Sequence, residues 1–148
     1  MLEVITVQND PDHILRRQAE RISDPTSPEM RTLVAEMIET MRREDGVGLA
    51  APQIGRSVRL FVIETAGRVS VFFNPNIVSY SEETIMSEEG CLSVPGEFSM
   101  IDRSKRISME YQDTDGKKKT FVAEDFLATV LQHEYDHLDG KLMIDRVR

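Results

Sequence analysis

Cysteine occurs once in these 148 residues, so the chain forms no internal disulfide and carries no mark of an oxidising compartment. Long apolar runs are missing too, with no stretch of about 20 apolar residues to span a bilayer. The opening Met1-Leu2-Glu3-Val4-Ile5 lacks the basic region and apolar run of a secretory leader. Clustered positive charge is scarce. A net charge of -8 argues against general affinity for nucleic-acid phosphates or anionic membranes, and the short run Lys117-Lys118-Lys119 reads as a solvated turn. No internal repeat, low-complexity tract or linker interrupts the chain. The expectation is a cytoplasmic protein with one domain over residues 1–148, whose 40% hydrophobic content suffices for a real core.

Two segments carry helical periodicity. Met30, Leu33, Val34, Met37, Ile38 and Met41 follow the start signal Thr26-Ser27-Pro28-Glu29 and precede Gly46, predicting a helix over about residues 28 to 44. A second run passes through Leu127, Val130, Leu131, Glu134 and Leu138. It begins where Glu124-Asp125 can cap free backbone N–H groups and stops at Gly140. Strand-like stretches lie between the helices: Val58 to Glu64, Val69 to Phe73, and a hairpin in which Ile107 to Gln112 returns as Thr120 to Val122 around Asp115-Gly116. Asn74-Pro75 reads as a break. The expected fold class is α+β, with short, mostly antiparallel strands packed around a central helix that bears a His-Glu-x-x-His motif.

That motif is His133-Glu134-Tyr135-Asp136-His137. Residues four apart lie one turn apart on the same helix face, so the two imidazoles can hold one divalent ion while Glu134 takes a proton from a water beside it. A catalytic site of this kind uses a third protein ligand. The zinc peptidases with a closely following third histidine match as far as Gly140, but Met143 stands where that histidine belongs. The remaining histidine, His13, sits in a polar Asp-Pro-Asp turn and reads as an exposed non-ligand. The lone Cys91, in the strand-like Ser87 to Gly96 interrupted by Gly90, is the remaining soft donor. A buried single cysteine is ordinarily a small core residue, but the open coordination position makes Cys91 the expected third ligand. A thiolate with two imidazoles suits Zn²⁺ or Fe²⁺ and is too soft a set for Mg²⁺ or Ca²⁺. Gly90 would let the backbone approach the ion, which puts the Leu92 N–H near the substrate oxygen.

The segment Gly46-Val47-Gly48-Leu49-Ala50-Ala51-Pro52-Gln53-Ile54-Gly55 satisfies Gly-x-Gly-x-x-Ala, yet it follows a helix and meets Pro52, which rules out the dinucleotide reading. Its small residues would let an extended backbone lie against a substrate chain, with Gln53 supplying an N–H to a developing oxyanion. Taken alone, the segment reads more simply as a functionless Gly/Ala turn between helix and strand.

Together, Gly46 to Gln53, Glu89-Gly90-Cys91-Leu92-Ser93 and Gln132 to His137 resemble the three signature motifs of the peptide deformylases, in that family's order. The similarity extends to Pro11-Asp12 with Leu15-Arg16, the first helix and Asn74-Pro75. The resemblance implies a metallohydrolase that removes the formyl group from N-formylmethionyl nascent peptides, at the ribosome, as a monomer, with no direct nucleic-acid or membrane binding. It implies Fe²⁺ as cofactor, with Zn²⁺, Ni²⁺ or Co²⁺ as substitutes. By position, Cys91, His133 and His137 are the ligands and Glu134 the general base; Gln53 and the Leu92 N–H bind the oxyanion, and Gly48 pairs with the substrate main chain. Phe126 and Val130 share a stripe with the histidines and, with Val47, would line the methionine pocket; they fit plain core equally well. Glu89 and Arg103 are expected to pair, around the pocket or as an ordinary surface pair. Two departures stand out: Glu97-Phe98-Ser99 replaces an arginine found in some members, and the sequence stops at Arg148 where many members continue into a helix.

Overall fold

The computed structural model describes residues 3–147. Helix α1 spans Pro28–Arg43. Ser27 starts it: its side chain accepts the Met30 N–H at 3.2 Å, and Pro28 occupies the first turn, where its missing N–H costs nothing. Met30, Leu33, Met37 and Met41 form its buried stripe, and the chain turns away where the Gly46 N–H bonds the Met41 carbonyl.

Strands β1 (Gly48–Ala50), β2 (Leu60–Thr65), β3 (Arg68–Tyr80), β6 (Arg106–Gln112) and β7 (Lys118–Glu124) form one sheet in the order β1-β2-β3-β6-β7. Strands β4 (Thr84–Cys91) and β5 (Val94–Ser104) form a separate two-stranded hairpin, and all the ladders are antiparallel. Helix α2, Asp125–Leu138, follows β7 directly.

Alternation along the strands divides the core. Phe61, Ile63 and Phe72 point to the layer beneath α2, with Ile107, Met109, Ala128 and Leu131. Leu60, Val62 and Phe73 point the opposite way, to Leu33, Met37 and Met41 of α1. Strand β2 is therefore apolar on both faces, and its Leu-Phe-Val-Ile run is wholly buried.

Four local expectations change. Asn74-Pro75 does not end the second strand; β3 runs on to Tyr80 through an irregularity in its register between Phe73 and Asn76. Asn74 adopts a left-handed φ of 48°, and its side chain replaces the interrupted pairing. It accepts the Ile22 N–H at 2.8 Å and donates to the Ile22 carbonyl and to Gln112. The segment from Ser87 to Gly96 is a hairpin, with β4 ending at Cys91 and β5 starting at Val94. Glu124 makes no cap on α2, because its carboxylate pairs with Arg106 at 3.0 Å. Lys118 and Lys119 open β7 rather than forming a turn, Lys119 pairing with Asp113 at 2.9 Å. Among the described residues, no helix is long and apolar enough to cross a membrane.

Candidate metal centre and active site

Helix α2 carries His133 and His137 one turn apart, with ring centroids 5.2 Å apart and both rings buried. The end of β4 brings Cys91 to them: its Sγ lies 3.4 Å from His137 Nε2. One donor atom from each of Cys91, His133 and His137 falls within 4.8 Å of the others, close enough for a single ion. One thiolate and two imidazoles form the borderline-soft donor set that a first-row transition ion prefers, so these residues fit a catalytic metal. His13, by contrast, is exposed.

The imidazole of His133 is oriented from behind. Its Nδ1 lies 2.8 Å from Glu89 Oε1, and because a carboxylate only accepts, the proton sits on Nδ1 and Nε2 is left to bind. Glu89 in turn receives two bonds from Arg103, from Nε at 2.6 Å and from an Nη at 2.9 Å. Arg103 also donates to Asp136 at 3.0 Å, and Asp136 is gripped by Arg146 at 2.5 and 2.8 Å. Glu89, Arg103 and Asp136 are all buried, so the Glu89–Arg103 pair is not an ordinary surface pair. Sequence reasoning missed Asp136 and Arg146. Asp136 lies inside the motif, but only the tertiary structure shows which cation it meets.

Glu134 is buried, and its Oε1 has no hydrogen-bond partner. Burial pushes its carboxyl up to about 7, against the pull of the neighbouring His133. Burial would lower His133, yet the Cys91 sulfur and Glu89 carboxylate outweigh it and, counting protein groups alone, raise it to about 10. His137 is held well below its ordinary value by burial and by the His133 charge. A carboxyl poised near neutrality can both take and return a proton.

Strand β1 passes directly over Glu134. A Cβ built on Gly48 would fall 2.6 Å from Glu134 Oε2, so only glycine allows this approach. The Val47 carbonyl accepts the Glu64 N–H at 2.8 Å, which sets the ladder phase: Leu49 faces β2, and Gly48 turns its own N–H and C=O to the opposite side. That side is the free edge of the sheet among the described residues. Gln53 follows in a 3-10 turn, Ala51–Ile54, with its amide nitrogen 3.7 Å from Cys91 Sγ. Leu92 occupies the turn after Cys91 and packs against the α1 layer.

The three apolar pocket residues separate. Val130 is 8% exposed and belongs to the core beneath α2, whereas Val47 and Phe126 are 40% and 61% exposed.

The sequence matches the polypeptide deformylase family profile over residues 4–148. It is 46% identical over 129 residues to the peptide deformylase of Treponema pallidum (strain Nichols), covering 85% of this chain and 80% of that one. The crystal structure of peptide deformylase from Thermotoga maritima superposes with a TM-score of 0.94 at 41% identity, over 100% of this chain and 98% of that one. The Met-Ala-Ser-bound class I type b peptide deformylase from Acinetobacter baumannii matches at 31% identity and a TM-score of 0.91, covering 99% and 98%.

Proposed function

Because the chain belongs to the peptide deformylase family, metal-dependent hydrolases that remove N-formyl groups, we propose that it releases formate from N-formylmethionyl nascent peptides with Cys91, His133 and His137 holding one ion. It is accordingly a hydrolase of protein biosynthesis, acting in N-terminal methionine processing. The observation that carries the assignment of roles is the buried Glu134 carboxylate, with one oxygen unpartnered, beside a Cys/His/His donor set. The donor set suits Fe²⁺, with Zn²⁺, Ni²⁺ or Co²⁺ as substitutes; when bound, the ion polarises the formyl carbonyl and makes water more acidic.

The chain's own residues do the rest. Glu134 takes the proton of the attacking water and returns it to the leaving amine, a double role suited to a carboxyl near 7. The Gln53 side-chain N–H and the Leu92 backbone N–H donate to the oxygen that becomes negative as the carbonyl is attacked. Gly48 offers its outward N–H and C=O to the peptide main chain, adding a strand at the free sheet edge. Val47 and Phe126 provide exposed apolar surface for the methionine side chain. Residues 1–148 serve as one catalytic domain, monomeric and cytoplasmic, that meets its substrates at the ribosome without binding nucleic acid itself.

Protein loaded anaerobically with Fe²⁺ is expected to release formate from a formyl-Met tripeptide and to lose that activity in Glu134→Ala. Absence of formate from the wild type, or full activity in Glu134→Ala, overturns the reading.

A further inference from the structure

Gln53 is held at both ends of its amide. The Ala50 backbone N–H lies 2.9 Å from one terminal atom of the side chain, and since that group only donates, the atom it faces is Oε1. The nitrogen therefore points the other way. There Nε2 donates to Ser93 Oγ at 3.0 Å, and Ser93 is fully buried. An amide nitrogen has two hydrogens: with one taken by Ser93, the second is donated toward Cys91 Sγ, 3.7 Å away, the side on which the reacting group would lie. The backbones of both residues are tied to one further segment, since the Ile5 N–H donates to the Gln53 carbonyl at 2.6 Å and the Val7 N–H to the Ser93 carbonyl at 2.9 Å.

We propose that Ser93 is the positioning residue of the oxyanion donor: its hydroxyl occupies one N–H of Gln53 so that the other stays aimed at the reacting carbonyl. This rests on the reading of Gln53 as that donor. Without the hydroxyl, the amide plane is held by the Ala50 N–H alone and can rock about the side-chain torsion, carrying both its terminal atoms, so the donor is no longer set before the reaction begins. A preorganised donor stabilises a developing charge at no cost of reorientation, so loosening it lowers kcat while binding of the ground-state peptide changes little.

The test is a double-mutant cycle on metal-loaded protein with a formyl-Met tripeptide, together with the side-chain amide signals of Gln53 in the Zn²⁺ form. Gln53→Ala is expected to lower kcat by roughly a hundredfold. Ser93→Ala is expected to lower kcat by about tenfold with KM and metal content near those of the wild type, and to lower Tm slightly because the buried Gln53 amide loses an acceptor. The pair Ser93→Ala/Gln53→Ala should be no slower than Gln53→Ala alone, and the Gln53 side-chain amide hydrogens should exchange faster in Ser93→Ala. Multiplicative losses in the double variant, or unchanged exchange, overturn the proposal while leaving Gln53 as the donor. An undiminished kcat in Gln53→Ala overturns the reading of Gln53 itself, and the proposal with it.

Discussion

Replacing Gly48 by alanine adds one methyl group at the point where β1 crosses the carboxylate of Glu134, the proposed general base. The backbone there is ordinary extended strand, so alanine is not strained by its torsions, and the whole effect comes from the close approach. The new Cβ would meet Glu134 Oε2 at 2.6 Å and the Glu134 Cγ and Cδ at 2.9 Å, and ordinary contact begins at 3.4 Å. The Glu134 oxygen must therefore withdraw from 2.6 to about 3.4 Å, a displacement of about 0.8 Å. Misplacing a catalytic group by about 1 Å costs on the order of 10²-fold in rate, so kcat should fall by roughly 10- to 100-fold. Relief of the clash inside a filled site should cost about 1–3 kcal/mol of stability. Formate release measured on samples with equal metal content, alongside thermal unfolding, checks both effects. A kcat within about twofold of wild type would refute the claim that this glycine exists to admit Glu134.

The remaining predictions concern the groups around the ion. In metal-stripped protein the folded-state value of Glu134, raised from 4.5 to about 7, means that its stability contribution is fully present below pH 4.5 and is lost as pH rises through 7. Glu134→Gln escapes that loss, worth about 3 kcal/mol at 1.36 kcal/mol per unit; its Tm should match wild type in acid and exceed it above neutrality, and parallel Tm profiles would contradict the argument. Glu89→Gln should weaken metal affinity by roughly 10- to 100-fold in a chelator competition, because the proton on His133 Nδ1 loses its carboxylate. The same variant leaves the buried Arg103 with a neutral neighbour, and a stability loss of about 3 kcal/mol should appear in denaturant unfolding; unchanged affinity would remove Glu89 from the site. Cys91→Ser should lose soft metal on dialysis, since a hydroxyl is a harder and poorer ligand, and full metal retention would count against Cys91 as a ligand.

Much of the centre was readable from spacing. The helical period of α2 and the pair His133/His137 required nothing beyond local geometry, and Cys91 followed from the need for a third donor. What surrounds them was not readable in the same way. Glu89, Arg103, Asp136 and Arg146 are drawn from β4, β5, α2 and the chain after it, and a charged side chain in a sequence does not state whether water or another charge will be its partner. Asn74-Pro75 misled for a related reason. As a dipeptide it signals a turn, but pairing with Ile22 and Gln112 lets β3 continue through it.

Local periodicity and donor chemistry thus determined the helices, the α+β class and the three side chains proposed to hold the metal, because each depends on residues a few positions apart or on the valence of one atom. Tertiary structure alone decided which hydrogens and oxygens are left for the proposed reaction. Gly48 turns its polar groups to the sheet edge because Leu49 is bound to β2, Gln53 aims one N–H because Ala50 and Ser93 take the rest of its amide, and Glu134 rises toward 7 because the folded core excludes water from it. Those are properties of packing between distant segments, and no single segment contains them.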